Sequence, residues 1–426
     1  MFNQGLSLDQ APPISVPFRF FLTAPIFAII IGALIILNDA NLIMNRYSDI
    51  TIAIVHLFTL GILSMIIVGA MQQMMPVLAG AVIKKPILFA NIVHASLSLG
   101  TILFALYFIY KIKILLILAT VLLAIAFLTF FFVAIKLLFK VQFLTSTVVA
   151  MRIFTILGLI TILLGLHLAG AHIGQNIGQN HYSFVAIHII FGMFGFATLL
   201  IMGVSFQVIP MFYVAKDFPK FIQNKIPYLL AFLLFAYMAF EFLDIDITIL
   251  KFLFLFIIGL FAYFGIHSLN NRKRPIFDVT LLYWKLSLYS LLISLFIWTF
   301  VKNDISYLLS IIFALGFLYS LLQGMVYKII PFLCWFHLTS KGHFTVPTMR
   351  ELIIESSIRL QFYIYASSLL FFILASFLSP IFLYLGAGLF IVSNILFFIN
   401  IVIAVNKYRE IAKTDPMDMS SFKMPS

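Results

Sequence analysis

Residues 56–80 read HLFTLGILSMIIVGAMQQMMPVLAG, and residues 188–212 read HIIFGMFGFATLLIMGVSFQVIPMF. Both stretches begin with a histidine and carry the pattern G-x7-G-x3-Q-x2-P within a run of apolar residues. A run of about 20 apolar residues is the length that a helix needs to cross the hydrocarbon layer of a bilayer. These stretches are therefore predicted to be equivalent membrane-spanning helices.

The pattern occurs a third time, with lysine in place of glutamine. The motif positions are Gly61, Gly69, Gln73 and Pro76, then Gly195, Gly203, Gln207 and Pro210, then Gly316, Gly324, Lys328 and Pro331. Successive copies are 134 and 121 residues apart, which leaves room for four helices each time. The spacing predicts three four-helix units over about residues 18–135, 146–267 and 279–404.

The composition of the whole chain agrees with a protein that lies in lipid. Of 426 residues, 64% are hydrophobic and 9% are charged, whereas soluble domains have roughly a quarter charged residues. This excludes a cytosolic globular enzyme and a disordered chain. Spans are predicted near 18–38, 52–76, 87–109, 114–135, 146–169, 183–212, 227–244, 247–267, 279–301, 305–334, 361–379 and 381–404. If the joins at Lys111–Lys113 or Ser379–Pro380 lie within continuous helices, the twelve spans become eleven.

The net charge of +12 first suggests a nucleic acid partner, but its distribution favours another explanation. Of the 26 lysines and arginines, 18 fall in the segments on the side of the N-terminus, 5 fall on the opposite side and 3 lie near or within spans. Basic residues concentrate in cytoplasmic loops. The sequence predicts a multi-pass protein of the inner (cytoplasmic) membrane, with both termini in the cytoplasm, the lipid bilayer as partner and no nucleic acid.

The longest cytoplasmic loop is predicted over 335–360 and a cytoplasmic tail over 405–426. Within the loop, Thr348 and Glu351 have the spacing of a capping box, followed by apolar residues among charges. We expect a short helix on the membrane surface there.

Five of the nine histidines fall at the outer ends of the second, fifth and sixth spans or between the fifth and sixth. They are His56, His167, His172, His181 and His188. His56 and His188 stand five and seven residues before the first motif glycine of their helices. Imidazole is the usual nitrogen ligand of haem iron, copper and zinc. A histidine at a helix end is also a common interfacial polar residue, and both interpretations stay open.

Twelve spans in three units, with outer histidines on the second and sixth, resemble the catalytic subunit of haem–copper oxidases. The two quoted segments also resemble the H…G…P segments of NnrS-type proteins, which are haem- and copper-containing membrane proteins linked to nitric oxide stress. The resemblance implies haem b as a cofactor, with copper as a second candidate. It places haem on His56 and either haem or a metal on His188. Among the other outer histidines, His167 or His172 is an alternative second ligand of the haem, and His181 is a candidate metal ligand beside His188.

The chain departs from the oxidase pattern at several ligands. The tenth span has no histidine at the level of His56 and His188, where its residues are Leu309, Ser310 and Ile311. The seventh span has no histidine for a copper centre. Oxygen reduction is therefore not expected. The sequence favours a haem-binding protein in diatomic-gas response or electron transfer, without deciding whether it is an enzyme.

Two alternatives remain from the sequence. One is a transporter of a small solute, metal or haem that uses the repeat interface and Lys328. The other is an assembly partner of respiratory or stress-response membrane proteins. A group of methionines lies near Gln73 and consists of Met71, Met74 and Met75. Their thioether sulfurs could bind Cu(I), or their side chains could fill gaps between helices.

Overall fold

The computed structural model describes residues 10–174, 178–343 and 346–414. Over these residues every regular element is helical, and twelve helices are long and apolar enough to cross a membrane. They are Ser15–Leu37, Asp49–Ala79, Pro86–Tyr110, Lys113–Leu138, Ser146–Gly174, His181–Tyr213, Lys220–Phe242, Thr248–Asn270, Thr280–Phe300, Ser306–Ser340, Glu355–Ala375 and Ile381–Ile411. The prediction of an all-helical polytopic architecture with about twelve spans is confirmed.

Both uncertain joins are breaks between helices. Lys111 has a left-handed backbone conformation with φ of 59°, which ends the third span, and the fourth begins two residues later. The eleventh span ends at Ala375, and Pro380 is the residue that precedes the twelfth. The alternative count of eleven spans is therefore wrong.

The inner loop is shorter than predicted. The tenth helix continues to Ser340 and the eleventh begins at Glu355, so the segment between these helices is shorter than the predicted loop of 335–360. Thr348 and Glu351 do form the predicted capping box, but the helix that they start covers only Met349–Leu352. Leu352 is buried against protein rather than placed for contact with lipid headgroups. In the tail, the last helix continues to Ile411, and residues 415–426 lie outside the described residues.

Consecutive spans pack against each other along the chain, and the twelfth also packs against the first. The second, sixth and tenth spans are the most buried, with 61%, 61% and 72% of their most apolar window inside the protein against 33–56% for the other nine described spans. The three helices that carry the motif are therefore the inner helices of the bundle.

Each motif helix contains a stretch of π-helix around its first motif glycine. The stretches are Thr59–Ser64, Phe191–Thr198 and Ile311–Tyr319. At or just after the end of each, a hydroxyl donates to the carbonyl five residues earlier: Ser64 to Thr59 at 2.7 Å, Thr198 to Met193 at 2.7 Å and Ser320 to Leu315 at 3.1 Å. Such π-helical turns are rare and occur often at functional sites.

The motif glycines let each inner helix approach the span before it in the chain. A Cβ atom on Gly69 would lie 2.6 Å from Cβ of Phe20 in the first span. One on Gly324 would lie 2.7 Å from Cβ of Tyr283 in the ninth span. Gly61, Gly195, Gly203 and Gly316 likewise face Phe27, Leu157, Ala150 and Ser290. This agrees with the packing role expected of small residues between membrane helices.

Candidate functional site

The imidazoles of His56 and His188 lie side by side between the second and sixth spans. Their ring centres are 6.5 Å apart and their planes differ by 12°. Both residues sit one turn or less before a π-helical stretch, at the same level of two inner helices. Tertiary packing thus brings together two histidines that are 132 residues apart in sequence.

Backbone carbonyls fix one nitrogen of each ring. His56 Nδ1 lies 2.8 Å from the Ile52 carbonyl oxygen, and His188 Nδ1 lies 3.1 Å from the Thr161 carbonyl oxygen in the fifth span. A ring nitrogen that faces a carbonyl must carry the proton, so in the neutral ring Nε2 keeps the lone pair. This is the arrangement typical of histidines that bind a metal through Nε2.

The surroundings of the pair are apolar and closely packed. The ring of Phe104 in the third span lies 4.6 Å from that of His56. On the other side, a Cβ atom on Gly165 would lie 3.1 Å from Cε1 of His188, so the absence of a side chain there makes room for the imidazole. Gly165 was not identified from the sequence, because a lone glycine in an apolar helix gives no local signal.

The other three outer histidines are placed differently. The rings of His172 and His181 are 6.1 Å apart at 72°, and His172 also packs on Phe108. The ring of His167 lies 4.6 Å from that of Phe184. The structure therefore pairs His188 with His56 and His181 with His172, and it does not show the expected His188–His181 pair as a ring contact among the described residues.

No metal centre with three or more protein ligands accompanies these pairs. Over the described ranges, no three side chains of histidine, cysteine, aspartate or glutamate lie close enough together to hold an ion. The histidine pair alone supplies two nitrogen ligands, which suits an ion whose other ligands come from elsewhere, as in haem.

Lys328, the residue that replaces the motif glutamine, forms an ion pair with Asp278 just before the ninth span. The side chains are 21% and 19% exposed. The ammonium also lies 5.2 Å from the ring centre of Tyr213, whose hydroxyl is 2.8 Å from that of Thr280. Burial favours a raised pKa for Asp278, but the Lys328 ammonium and hydrogen bonds from Thr280 together hold this pKa below its ordinary value. The pair and Tyr213 therefore connect the end of the sixth span and the start of the ninth with the tenth span.

The two motif glutamines differ in their environment. Gln73 is 6% exposed and its Oε1 has no hydrogen-bond partner among the described residues, whereas Gln207 is half-buried. Gln73 lines a cavity of about 60 Å³ between the second, sixth and tenth spans. The lining residues are Ala70, Gln73, Met74, Val77, Leu78, Val208, Met211, Phe212, Met325, Ile329, Phe332 and Leu333. We call this space the methionine cavity.

A buried polar network in the last four spans was missed by the sequence analysis. Gln361 accepts hydrogen bonds from the hydroxyls of Tyr283 and Tyr327 and donates to Gln323 at 2.6 Å and to Ser393 at 2.7 Å. All four hydrogen-bonding positions of this amide are thus used, by residues from the ninth, tenth and twelfth spans. A fully bonded amide in an apolar bundle fixes the rotation of the helices around it.

The network extends to Asn400 and Ser357, and a separate buried pair, Tyr319 and Asn394, lies in the same group of spans. Asn400 donates to the Tyr327 hydroxyl at 2.9 Å and accepts from Ser357 at 2.6 Å. In the separate pair, the Tyr319 hydroxyl donates to Asn394. The signal that could have revealed it is the occurrence of amide side chains inside apolar spans, since such residues seldom face lipid.

Arg152, a basic residue on the fifth span, caps the end of the fourth span. Its guanidinium donates to the carbonyls of Leu138 at 3.0 Å and Val141 at 2.6 Å, at the end of the fourth span. A cation near the last carbonyls of a helix is favourable. Arg152 is therefore a structural residue.

No family model matches this chain, and no curated protein matches it. What the histidine pair can do chemically must be derived from its own geometry.

Proposed function

We propose that this chain is a haem-binding membrane protein in which His56 and His188 ligate the iron of one b-type haem. The observation that carries the proposal is the near-parallel arrangement of their rings at 6.5 Å. The backbone contacts of both Nδ1 atoms support it, because they leave Nε2 of each ring as the metal-binding nitrogen.

The spacing of the rings fits one ion between them. A metal bound at about 2.0 Å by each nitrogen requires the nitrogens to be about 4 Å apart. Adding the distance of about 1.1 Å from each nitrogen to its ring centre gives about 6.3 Å between centres for a linear arrangement. The observed distance of 6.5 Å between ring centres is close to this value.

Two histidine ligands favour electron transfer over gas binding. When bound, haem supplies one-electron redox chemistry, and its reactivity depends on whether an axial position is open. His56 and His188 would both hold the iron, and the chemistry that haem would then supply is electron transfer. The chain's own contribution is to orient the two imidazoles through the Ile52 and Thr161 carbonyls and to surround them with apolar side chains such as Phe104.

The proposal includes three four-helix units with both termini in the cytoplasm of an inner-membrane protein. The three inner helices support the repeat, since each has a π-helical stretch at the first motif glycine and packs both glycines on the preceding span. The distribution of basic residues supports the orientation. Partners that donate or accept electrons, such as respiratory or stress-response membrane proteins, follow from an electron-transfer role.

The test is the absorption spectrum of the purified protein, oxidised and dithionite-reduced, after expression with ample haem. We expect a Soret band that is lost or strongly reduced in His56→Ala and in His188→Ala. His267→Ala, at an exposed position on the inner side, is the matched control and should keep the band. His167→Ala and His172→Ala test the other candidate ligands and should also keep it.

Carbon monoxide separates electron transfer from gas binding. The reduced wild-type protein should show little spectral change when carbon monoxide is added. In a separate rescue experiment, added imidazole should restore the wild-type spectrum of His188→Gly. A wild-type protein without a Soret band would refute haem binding. A large carbon monoxide shift in the wild type would instead favour gas response with one histidine ligand.

Transport is the second candidate function, and the methionine cavity favours it. A cavity between repeated inner helices is where repeat-built transporters hold their substrate. Lys328 is a weaker candidate for substrate binding than the sequence suggested, because Asp278 already compensates its charge. Solute uptake into vesicles that persists in His56→Ala but fails when the cavity is filled by Ala70→Phe would support this role.

A further inference from the structure

We propose that the methionine cavity binds one Cu(I) ion through the thioethers of Met74, Met211 and Met325. Each of the three inner helices contributes one of these methionines to the lining of the same small space. The site is distinct from the histidine pair, which lies at the other end of the second and sixth spans. It therefore does not depend on haem binding.

The chemistry of the lining selects the ion. Thioether sulfur is a soft, neutral ligand that prefers Cu(I) to hard cations, which take carboxylate, carbonyl or water oxygen. The lining holds no carboxylate, imidazole or thiol, so Zn²⁺, Mg²⁺ and Ca²⁺ have no suitable ligand set there. A thioether also has no proton to lose, so binding should depend little on pH.

Gln73 is the one polar side chain in the lining of the cavity. Gln73 is 6% exposed, lines the cavity and has a buried Oε1 that accepts no hydrogen bond from the described residues. An unpaired buried carbonyl oxygen is costly in an apolar core.

The size of the cavity and the charge of its surroundings are also compatible with a bound cation. On the measure by which one water molecule needs about 10–15 Å³, the cavity of about 60 Å³ has ample room for one metal ion. Lys328 lies three residues beyond Met325, but its charge is compensated by Asp278 and so opposes a cation little. The walls of the cavity are otherwise apolar, for example at Phe212 and Phe332.

The experiment is an anaerobic titration of the purified full-length protein with Cu(I), using bicinchoninate as the competing chelator. We expect one Cu(I) per chain and an X-ray absorption spectrum dominated by sulfur at about 2.3 Å, the metal–sulfur distance of protein sites. Ag(I), a redox-stable soft cation, should compete for the site, and Zn²⁺ should not.

Leucine replaces methionine with little change of volume, so the variants test ligation rather than packing. Met74→Leu, Met211→Leu and Met325→Leu should each lower Cu(I) affinity by about tenfold or more, and the triple variant should abolish binding. Met202→Leu is the matched control, since Met202 is buried on the sixth span but does not line the cavity. Thermal unfolding identifies any variant that is misfolded, and the wild-type sulfur shell tests the site without any substitution.

Two results would overturn the proposal. One is the absence of Cu(I) binding by folded wild-type protein, which would make the three methionines packing residues only. The other is Cu(I) binding that survives the triple methionine variant and is lost in His56→Ala or His188→Ala. Conversely, failure of haem binding in these histidine variants with normal Cu(I) binding would leave the methionine site intact.

Discussion

The ring planes of His56 and His188 differ by only 12°, although the two residues belong to different helices. Each imidazole is held by a carbonyl, that of His56 from its own helix and that of His188 from the fifth span. The backbone fixes the orientation of both rings. Their parallel arrangement is therefore a consequence of how the second, fifth and sixth spans pack.

Gly165→Ala should weaken haem binding while leaving the protein folded. The new Cβ atom would lie 3.1 Å from Cε1 of His188 and push the ring out of line with His56. We expect haem affinity to fall by about tenfold, the scale seen for residues that support metal ligands. Gly170→Ala on the same span is the control, because its Cβ atom would meet nothing within 4 Å. Equal haem occupancy in both variants would show that Gly165 does not position His188.

Gly69→Ala should destabilise the bundle. Its Cβ atom would lie 2.6 Å from Cβ of Phe20, so the first and second spans must separate, at a cost of about 1–3 kcal/mol. Gly388→Ala in the twelfth span has nothing within 4 Å and should be neutral or stabilising by up to about 1 kcal/mol. Thermal unfolding in one detergent compares the two, and a stable Gly69→Ala protein would disprove the close contact.

Loss of either partner of the Lys328–Asp278 pair should destabilise the contacts among the sixth, ninth and tenth spans. Lys328→Met leaves a mostly buried carboxylate and Asp278→Asn leaves a mostly buried ammonium, each at a cost of about 2 kcal/mol, between the values for exposed and fully buried pairs. The free energy of unfolding should fall by less in the double variant than the sum of its decreases in the two single variants. Additive losses in this double-mutant cycle would mean that the pair contributes no coupling.

The same pair predicts a pH dependence at the acidic end. The pKa of Asp278 is lower in the folded protein than its ordinary value of 3.8, so the folded state binds the proton less readily than the unfolded state. Its contribution to stability should be complete above about pH 4 and should decline as the pH falls through the lowered pKa. Unfolding temperatures measured from pH 6 to pH 3 should show this decline in the wild type and a smaller one in Asp278→Asn.

Gln361→Leu should cost more than removal of one of its partners. It leaves the hydroxyls of Tyr283 and Tyr327 and the Oε1 of Gln323 without their bonds, for a loss of about 2 kcal/mol. Ser393→Ala removes a single hydrogen bond and should cost about 0.6 kcal/mol, the mean for membrane proteins. Denaturant unfolding measures both, and equal losses would show that Gln361 is not the centre of the network.

Hydropathy and spacing were enough to predict the twelve helices and the packing role of the motif glycines. These properties are local: a run of apolar residues must form a helix in lipid, and a glycine on a helix permits close approach wherever it lies. Gly61 and Gly69 could therefore be recognised without knowing that Phe27 and Phe20 lie against them. The length of the inner loop was misjudged because helix ends are set by weak local preferences.

Tertiary structure alone decided which polar side chains meet. His188 pairs with His56 rather than with His181, Lys328 with Asp278, and Gln361 with partners on three other spans. These contacts depend on the rotation of each helix about its axis and on which helices are neighbours, which the order of residues along one helix does not specify. The sequence determined the set of ligands that the chain offers, and the packing of the helices determined which of them form a site.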